Sequence, residues 1–176
     1  MIVFLDRDGV ILRPFEKSGK GYAITHHSEI EYYEGTKESL NKLVKFASLI
    51  FIVTNQPDLH SGKLILDNLL RIHEILAEDL PINEIFYCPH LVSELCECRK
   101  PQIGLFLAAS KKWGLKDKDS WMVGDRDSDI QAGQKYGCRT IFIDRGWKEE
   151  NGAGADFRVK NLGEAVEIIA NLSRKP

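Results

Sequence analysis

Ile2-Val3-Phe4-Leu5-Asp6-Arg7-Asp8-Gly9-Val10 decides how this chain is read. The apolar run 2–5, rich in β-branched and large side chains, predicts a buried strand. It ends on Asp6 and Asp8, two carboxylates two residues apart. They are a poor choice for packing, and in a parallel α/β sheet the carboxyl ends of the strands are where ligands bind. Gly9 allows the sharp exit a chain makes at a strand tip. Taken alone, the stretch fits a catalytic site and an ordinary acidic turn equally well.

Further along, the pattern recurs. Residues 49–53 predict a second buried strand, ending in Thr54-Asn55-Gln56-Pro57. Residues 85–87 predict a third, running into a cysteine cluster and then Arg99-Lys100. Residues 121–124 predict a fourth, followed by Asp125-Arg126-Asp127-Ser128-Asp129, and 140–143 a fifth. Helical patterns lie between them. One follows a Thr36 N-cap, with Leu40, Leu43, Val44 and Ala47 on one face. A second spans about 63–80, with Leu66, Leu69, Leu70, His73 and Leu76 at helical spacing. A third starts near Pro101 and stops at Gly114, a fourth runs to Tyr136 before Gly137, and a last covers about 162–172. Residues 10–33 are polar and irregular, with a two-glycine loop at Ser18-Gly19-Lys20-Gly21-Tyr22, and a second glycine-rich loop holds Gly146, Gly152 and Gly154. Alternating strands and helices predict an α/β fold, a parallel sheet with helices on both faces. Without repeat, linker or large insertion, the chain is expected to be one domain over 1–176.

Composition narrows the function classes. The 176 residues are 43% hydrophobic and 28% charged, with a net charge of −2, an ordinary balance with no basic stripe. Nucleic acid and anionic membrane are therefore not expected as partners. No apolar stretch is long enough to span a bilayer, and residue 1 already belongs to the first strand with no leader pattern before it, so a cytoplasmic protein is expected. A monomer is expected, although no feature of the sequence sets the oligomeric state.

Parallel strands share one carboxyl edge, so Asp6, Asp8, Thr54, Lys100 and Asp125 are expected to converge there. Carboxylates from two strands form a hard oxygen site suited to Mg2+. A hydroxyl, a lysine and an arginine beside it suit a phosphoryl group. Cys88-Pro89-His90, five residues, then Cys96-Glu97-Cys98 supply three thiolates and one imidazole, a complete tetrahedral set for structural Zn2+. Buried apolar cysteines are the alternative, but Glu94, Glu97 and Arg99 make this stretch too polar for a core. Cys138 reads as a core thiol.

These residues resemble the four motifs of the haloacid dehalogenase (HAD) superfamily of phosphatases. Asp6-Arg7-Asp8-Gly9-Val10 is similar to motif one (with Val10 where threonine is common), Thr54 to motif two, Lys100 to motif three, and the segment from Gly124-Asp125 to Asp129 to motif four. The resemblance implies a Rossmann-like three-layer sandwich with central strand order 5-4-1-2-3. It implies Asp6 as nucleophile, Asp8 as general acid and base, and Thr54 and Lys100 as phosphoryl holders. Mg2+ would sit on the Asp6 carboxylate, the Asp8 main-chain carbonyl and Asp125, and Asp129 would orient Lys100 or support the metal; a solvated or capping aspartate at a helix start is its plainer alternative. Cys-Pro-His, Cys-x-Cys and Arg-Lys-Pro narrow the resemblance to the small capless, zinc-containing branch acting on heptose bisphosphates or histidinol phosphate. Gly21-Tyr22, Thr54-Asn55-Gln56, Ser61-Gly62-Lys63 and the ending from Arg145-Gly146 resemble the heptose side. The five-residue gap in the cysteine loop resembles the histidinol side, and Pro57 and Asp58 depart from the serine-glycine common in the heptose enzymes. The resemblance thus implies removal of the 7-phosphate of D-glycero-D-manno-heptose 1,7-bisphosphate. Arg7, Gly21, Tyr22, Asn55, Gln56, Arg99 and Arg126 would contact that substrate. Histidinol phosphate or another small phosphate ester is the alternative, and a nucleic-acid 3′-phosphate a distant one. His60 is a minor phosphate candidate. His26-His27 reads as a solvated pair, His73 as a satisfied core histidine, and Trp113, Trp121 and Trp147 as packing residues, with Trp147 a candidate for the site mouth.

Overall fold

The computed structural model describes residues 1–115, 119–148 and 150–173. A central sheet of parallel strands runs β5 (Glu84–Cys88), β4 (Leu49–Asn55), β1 (Ile2–Leu5), β6 (Ser120–Gly124), β7 (Arg139–Ile143) and β8 (Phe157–Val159), in that order. The five expected strands take the expected order, and β8 extends the sheet by one. At three residues it is too short to show a period. β1 alternates across the sheet: Val3 and Leu5 join one core layer, Ile2 and Phe4 the other. The first layer is closed by α1 (Thr36–Leu43), α2 (Leu66–Asp79) and α5 (Leu162–Ser173), through Leu40, Leu43, Ile72, Leu76, Val166 and Ile169. The second is closed by α3 (Gly104–Trp113) and α4 (Asp127–Tyr136), through Phe106, Ala109 and Ala132. Among the described residues, no helix is long and apolar enough to cross a membrane.

Several element starts differ from expectation. Thr36 is the first helical residue of α1, not its cap. Gly35 takes the cap position at φ +75°, a backbone that favours glycine, and the Thr36 hydroxyl reaches back to the Ile11 carbonyl at 3.5 Å. α2 begins at Leu66 rather than Lys63, because residues 57–64 form a series of tight turns closed by Ser61 N to Pro57 O and Leu64 N to Asp58 O bonds. α3 begins at Gly104 rather than near Pro101; the Gly104 N–H donates to Glu97 O at 3.0 Å and docks the helix start on the cysteine loop. The two-glycine loop is an antiparallel hairpin, β2 (Phe15–Lys17) and β3 (Lys20–Tyr22), in the register Phe15 to Tyr22 and Lys17 to Lys20. Its strands, Phe-Glu-Lys and Lys-Gly-Tyr, are largely exposed and too short for an apolar alternation, so nothing in the pattern marks them.

Candidate active site

Leu5 of β1 pairs with Ile52 of β4 and Val123 of β6. Asp6, Thr54 and Asp125 therefore leave three adjacent strands at one edge. Gly9 makes this crowding possible: its φ is +99°, and a Cβ there would lie 2.0 Å from Asp125 Oδ2. Asp6, Asp8, Thr54, Lys100 and Asp129 line a cavity of about 690 Å³. All five are buried, as is Asp125.

Lys100 organises the charges. Its ammonium lies 2.6 Å from Asp6 Oδ1 and 2.6 Å from Asp129 Oδ1, and donates to Val53 O at 2.6 Å. Burial works against its charge, but Asp129 and Asp6 outweigh that and raise its pKa. Asp129 thus orients Lys100, and its Oδ2 accepts from the Arg126 N–H at 3.1 Å. Burial pushes the Asp6 carboxyl up to about 6, against the attraction of Lys100. Burial, and then Asp6 and Asp129, raise Asp125 well above the usual carboxylate range. Asp6, Asp125 and Asp129 can bring one oxygen each within 4.8 Å of one another, and Asp125 Oδ1 is buried with no hydrogen-bond partner. An acidic cluster with an unpartnered oxygen fits a divalent cation, which would reverse both upward shifts.

Asn55, Arg99, Arg126, Gly21 and Tyr22 line the cavity. Several of them are also held by the protein. Asn55 clasps the Lys100 backbone in both directions, at 3.1 and 3.0 Å. Arg99 donates to His90 O at 3.1 Å, and Arg126 to Gly21 O at 2.5 Å. Arg7 and Gln56 do not line the cavity: both are 0% exposed and bonded within the protein. The Arg7 guanidinium donates to Asp8 Oδ2 at 2.9 Å and to Gln56 Oε1 at 2.9 Å. The Gln56 amide donates to Asp8 Oδ2 and Thr54 Oγ1, each at 2.8 Å. Because Thr54 Oγ1 accepts that bond, its own hydroxyl proton is left to donate into the cavity.

His73 completes this brace, with Nε2 3.3 Å from Arg7 Nη1. A guanidinium has no acceptor, so His73 Nε2 accepts and the ring is neutral. Burial, and then Arg7, lower its pKa from 6.5 to about 3. The unfolded chain therefore takes up a proton first as pH falls. The His73 contribution to stability is complete above about pH 6.5 and is lost progressively from there towards pH 3. Urea midpoints measured from pH 7 to pH 4 should fall more steeply for the wild type than for His73→Gln, which keeps an acceptor but does not titrate. Parallel curves would rule out His73 as the source.

Cys88 Sγ, His90 Nδ1, Cys96 Sγ and Cys98 Sγ lie within 4.8 Å of one another, with bonding separations of 3.0 to 3.6 Å. Three sulfurs and a nitrogen that close together suit one tetrahedral metal ion. Cys88 sits on β5 itself and Lys100 follows two residues after Cys98, so the loop joins the sheet to the Lys100 backbone that Asn55 clasps. Cys138 is buried and bonded to Ser120 at 3.2 Å, a core thiol as expected.

His60 Nδ1 lies 3.3 Å from Glu94, against the cysteine loop. His26 caps the turn His27–Glu29 through the Ser28 N–H, and its ring lies 4.2 Å from that of His27. Trp113 packs on Phe51, with its indole on Glu84 at 2.7 Å, and Trp121 is buried in the first core layer. Trp147 does more than pack: its Nε1 donates to Asp125 Oδ2 at 2.6 Å. The available signal was that Trp147 follows β7 at the same carboxyl edge as the acids, and that an indole N–H is a donor that seeks an acceptor when buried.

Known proteins resemble this chain in sequence and in fold. Residues 97–165 match the HAD-hydrolase-like family. The D,D-heptose 1,7-bisphosphate phosphatase of B. bronchiseptica, crystallised with magnesium and phosphate, has the same fold: TM-score 0.81 at 24% identity, covering 97% of this chain and 98% of that one. The D-glycero-beta-D-manno-heptose-1,7-bisphosphate 7-phosphatase of Haemophilus influenzae is 28% identical over 98% of both chains. The D-glycero-alpha-D-manno-heptose-1,7-bisphosphate 7-phosphatase of Campylobacter jejuni is 34% identical over 95% of this chain and 94% of its own. With that identity across nearly the whole of both sequences, joined to the same fold and the four motifs at one cavity, the chain belongs to the heptose-bisphosphate 7-phosphatase family of HAD-like phosphatases.

Proposed function

We propose that this chain removes the 7-phosphate of D-glycero-D-manno-heptose 1,7-bisphosphate, with Mg2+ at the acidic cluster and Zn2+ in the cysteine loop. The observation that carries the chemistry is Lys100 at 2.6 Å from both Asp6 and Asp129, beside the unpartnered Asp125 Oδ1. Asp6, the Asp8 main-chain carbonyl and Asp125 would hold the Mg2+. Bound there, it screens the repulsion between a carboxylate and a phosphate dianion. The Asp6 carboxylate attacks phosphorus, the bond from phosphorus to the substrate oxygen breaks, and an aspartyl-phosphate forms on Asp6. Asp8 gives a proton to the departing oxygen, then takes one from the water that releases phosphate and restores Asp6. The Thr54 hydroxyl donates to a phosphoryl oxygen, and the Lys100 charge stands beside the group as negative charge spreads over it. Arg7 and Gln56 keep Asp8 and Thr54 in place. Gly21, Tyr22, Arg99 and Arg126 face the rest of the sugar and its second phosphate. The reduced thiols that the zinc loop needs suit a cytoplasmic enzyme.

Relatives named for the α and for the β anomer both resemble this chain, so both anomers belong in the test. Phosphate release with Mg2+ is measured from each anomer and from histidinol phosphate. The expected result is a preference of at least tenfold in kcat/KM for a heptose bisphosphate, about 1.4 kcal/mol. A preference for histidinol phosphate would overturn the substrate and make the short cysteine loop the better guide.

Zinc removal tests the second metal. The 88–98 loop has little apolar core of its own, and Arg99 and Lys100 follow its last thiol. Chelation, or Cys98→Ser, should release one zinc per chain, deprotect the amides of the loop in hydrogen exchange, and lower kcat by roughly ten- to a hundredfold. A zinc-free chain with unchanged exchange and full activity would show that the four donors hold nothing of consequence.

A further inference from the structure

One side chain joins the hairpin wall of the cavity to the acidic cluster. Trp147 is 7% exposed, and its Nε1 donates to Asp125 Oδ2 at 2.6 Å. That bond leaves Asp125 Oδ1 as the unpartnered oxygen. The indole also lies against the hairpin. A Cβ on Gly21 would sit 3.0 Å from Trp147 Cζ2 and 2.9 Å from Pro14 Cγ, so only glycine permits this approach without a shift. Two further bonds tie the same partners. Arg126, next to Asp125, donates to Gly21 O at 2.5 Å, and the Lys148 N–H, next to Trp147, donates to Gly19 O at 3.1 Å. An indole N–H is a fixed donor with no acceptor role, so it can hold one carboxylate oxygen and turn the other inward.

We propose that Trp147 is a positioning residue for the divalent-cation carboxylate Asp125, kept in register by Gly21, so that the hairpin facing the substrate and the affinity for the cation are coupled. The inference rests on the Mg2+ reading of Asp6, Asp8 and Asp125. Coupling of this kind is reciprocal: whatever fixes the hairpin favours the cation, and the cation favours the ordered hairpin. Displacing or removing the indole should therefore weaken cation binding without altering any cation ligand.

The test is a calorimetric Mg2+ titration of the zinc-loaded full chain, without substrate, on the wild type, Trp147→Phe, Trp147→His and Gly21→Ala. Trp147→Phe keeps the aromatic bulk and loses the donor; it should bind Mg2+ about ten- to a hundredfold more weakly. Trp147→His offers a ring N–H and should recover part of that loss. Gly21→Ala keeps the indole but pushes it, and should weaken binding several-fold. Melting temperatures without Mg2+ separate a packing role, which would lower stability and leave affinity alone. A wild type that does not bind Mg2+ would sink the cation reading itself. A wild type that binds, with variants that bind equally well, would sink only the role of Trp147. Should Trp147→Phe fail to fold, Gly21→Ala decides: unchanged affinity overturns the proposal.

Discussion

Asp6→Asn is expected to fold, to keep its zinc, and to release phosphate at least about 10⁴-fold more slowly than the wild type. The amide matches the carboxylate in size, and its oxygen can still accept from Lys100, which lies 2.6 Å from Asp6 Oδ1. It cannot attack phosphorus. The substitution also removes one negative charge from a buried cluster in which Asp6 helps to raise the pKa of Asp125. Stability without Mg2+ should thus hold or rise while turnover disappears, a pairing that general damage to the fold would not produce. Two measurements check it: phosphate release, and the hydroxylamine-sensitive phosphate bound to the chain after acid quench. The wild type should carry that phosphate and Asp6→Asn none. Activity within tenfold of the wild type would remove Asp6 as the nucleophile.

Lys100→Met should damage both stability and rate. It takes one cation from between two buried carboxylates, Asp6 and Asp129, and leaves the Val53 carbonyl without that donor. Breaking a buried ion pair from one side costs about 3–5 kcal/mol, because the remaining charge stays buried and unpaired. Losing a positive charge beside the transferring phosphoryl group should lower kcat by about 10²–10³-fold. The double variant Lys100→Met/Asp129→Asn separates the two effects. Neutralising Asp129 should return part of the stability and none of the rate, because Asp129 acts through Lys100. A double variant that regains turnover would place the chemistry elsewhere, and a single variant with normal kcat would remove Lys100 from the phosphoryl site. Urea unfolding and kcat with saturating Mg2+ decide between these outcomes.

The sheet and the convergence of charge were legible in the chain. Residues 2–5, 49–53 and 121–124 are short buried runs, each ending in polar residues that no core would keep, and parallel strands bring such ends to one edge. The cysteine loop was legible because three thiols and an imidazole in so polar a stretch have few other uses. β8 and the hairpin were not, since three-residue strands carry no measurable period.

Residue types and their order therefore determined the fold class, the chemistry available at the strand ends, and the edge at which those ends would gather. Only the tertiary structure decided what each polar side chain does there. Arg7 and Gln56 stand beside Asp6, Asp8 and Thr54 in sequence, yet both turn away from the cavity lining and brace Asp8 and Thr54. Trp147, 22 residues beyond Asp125, reaches back to hold it. The reason is physical. Strand periodicity and hydrophobic burial are local and repeat along the chain, so they can be read from it. The direction in which a buried donor points is fixed by whichever acceptor across the fold would otherwise be left unpaired, and that partner is known only once the strands are packed.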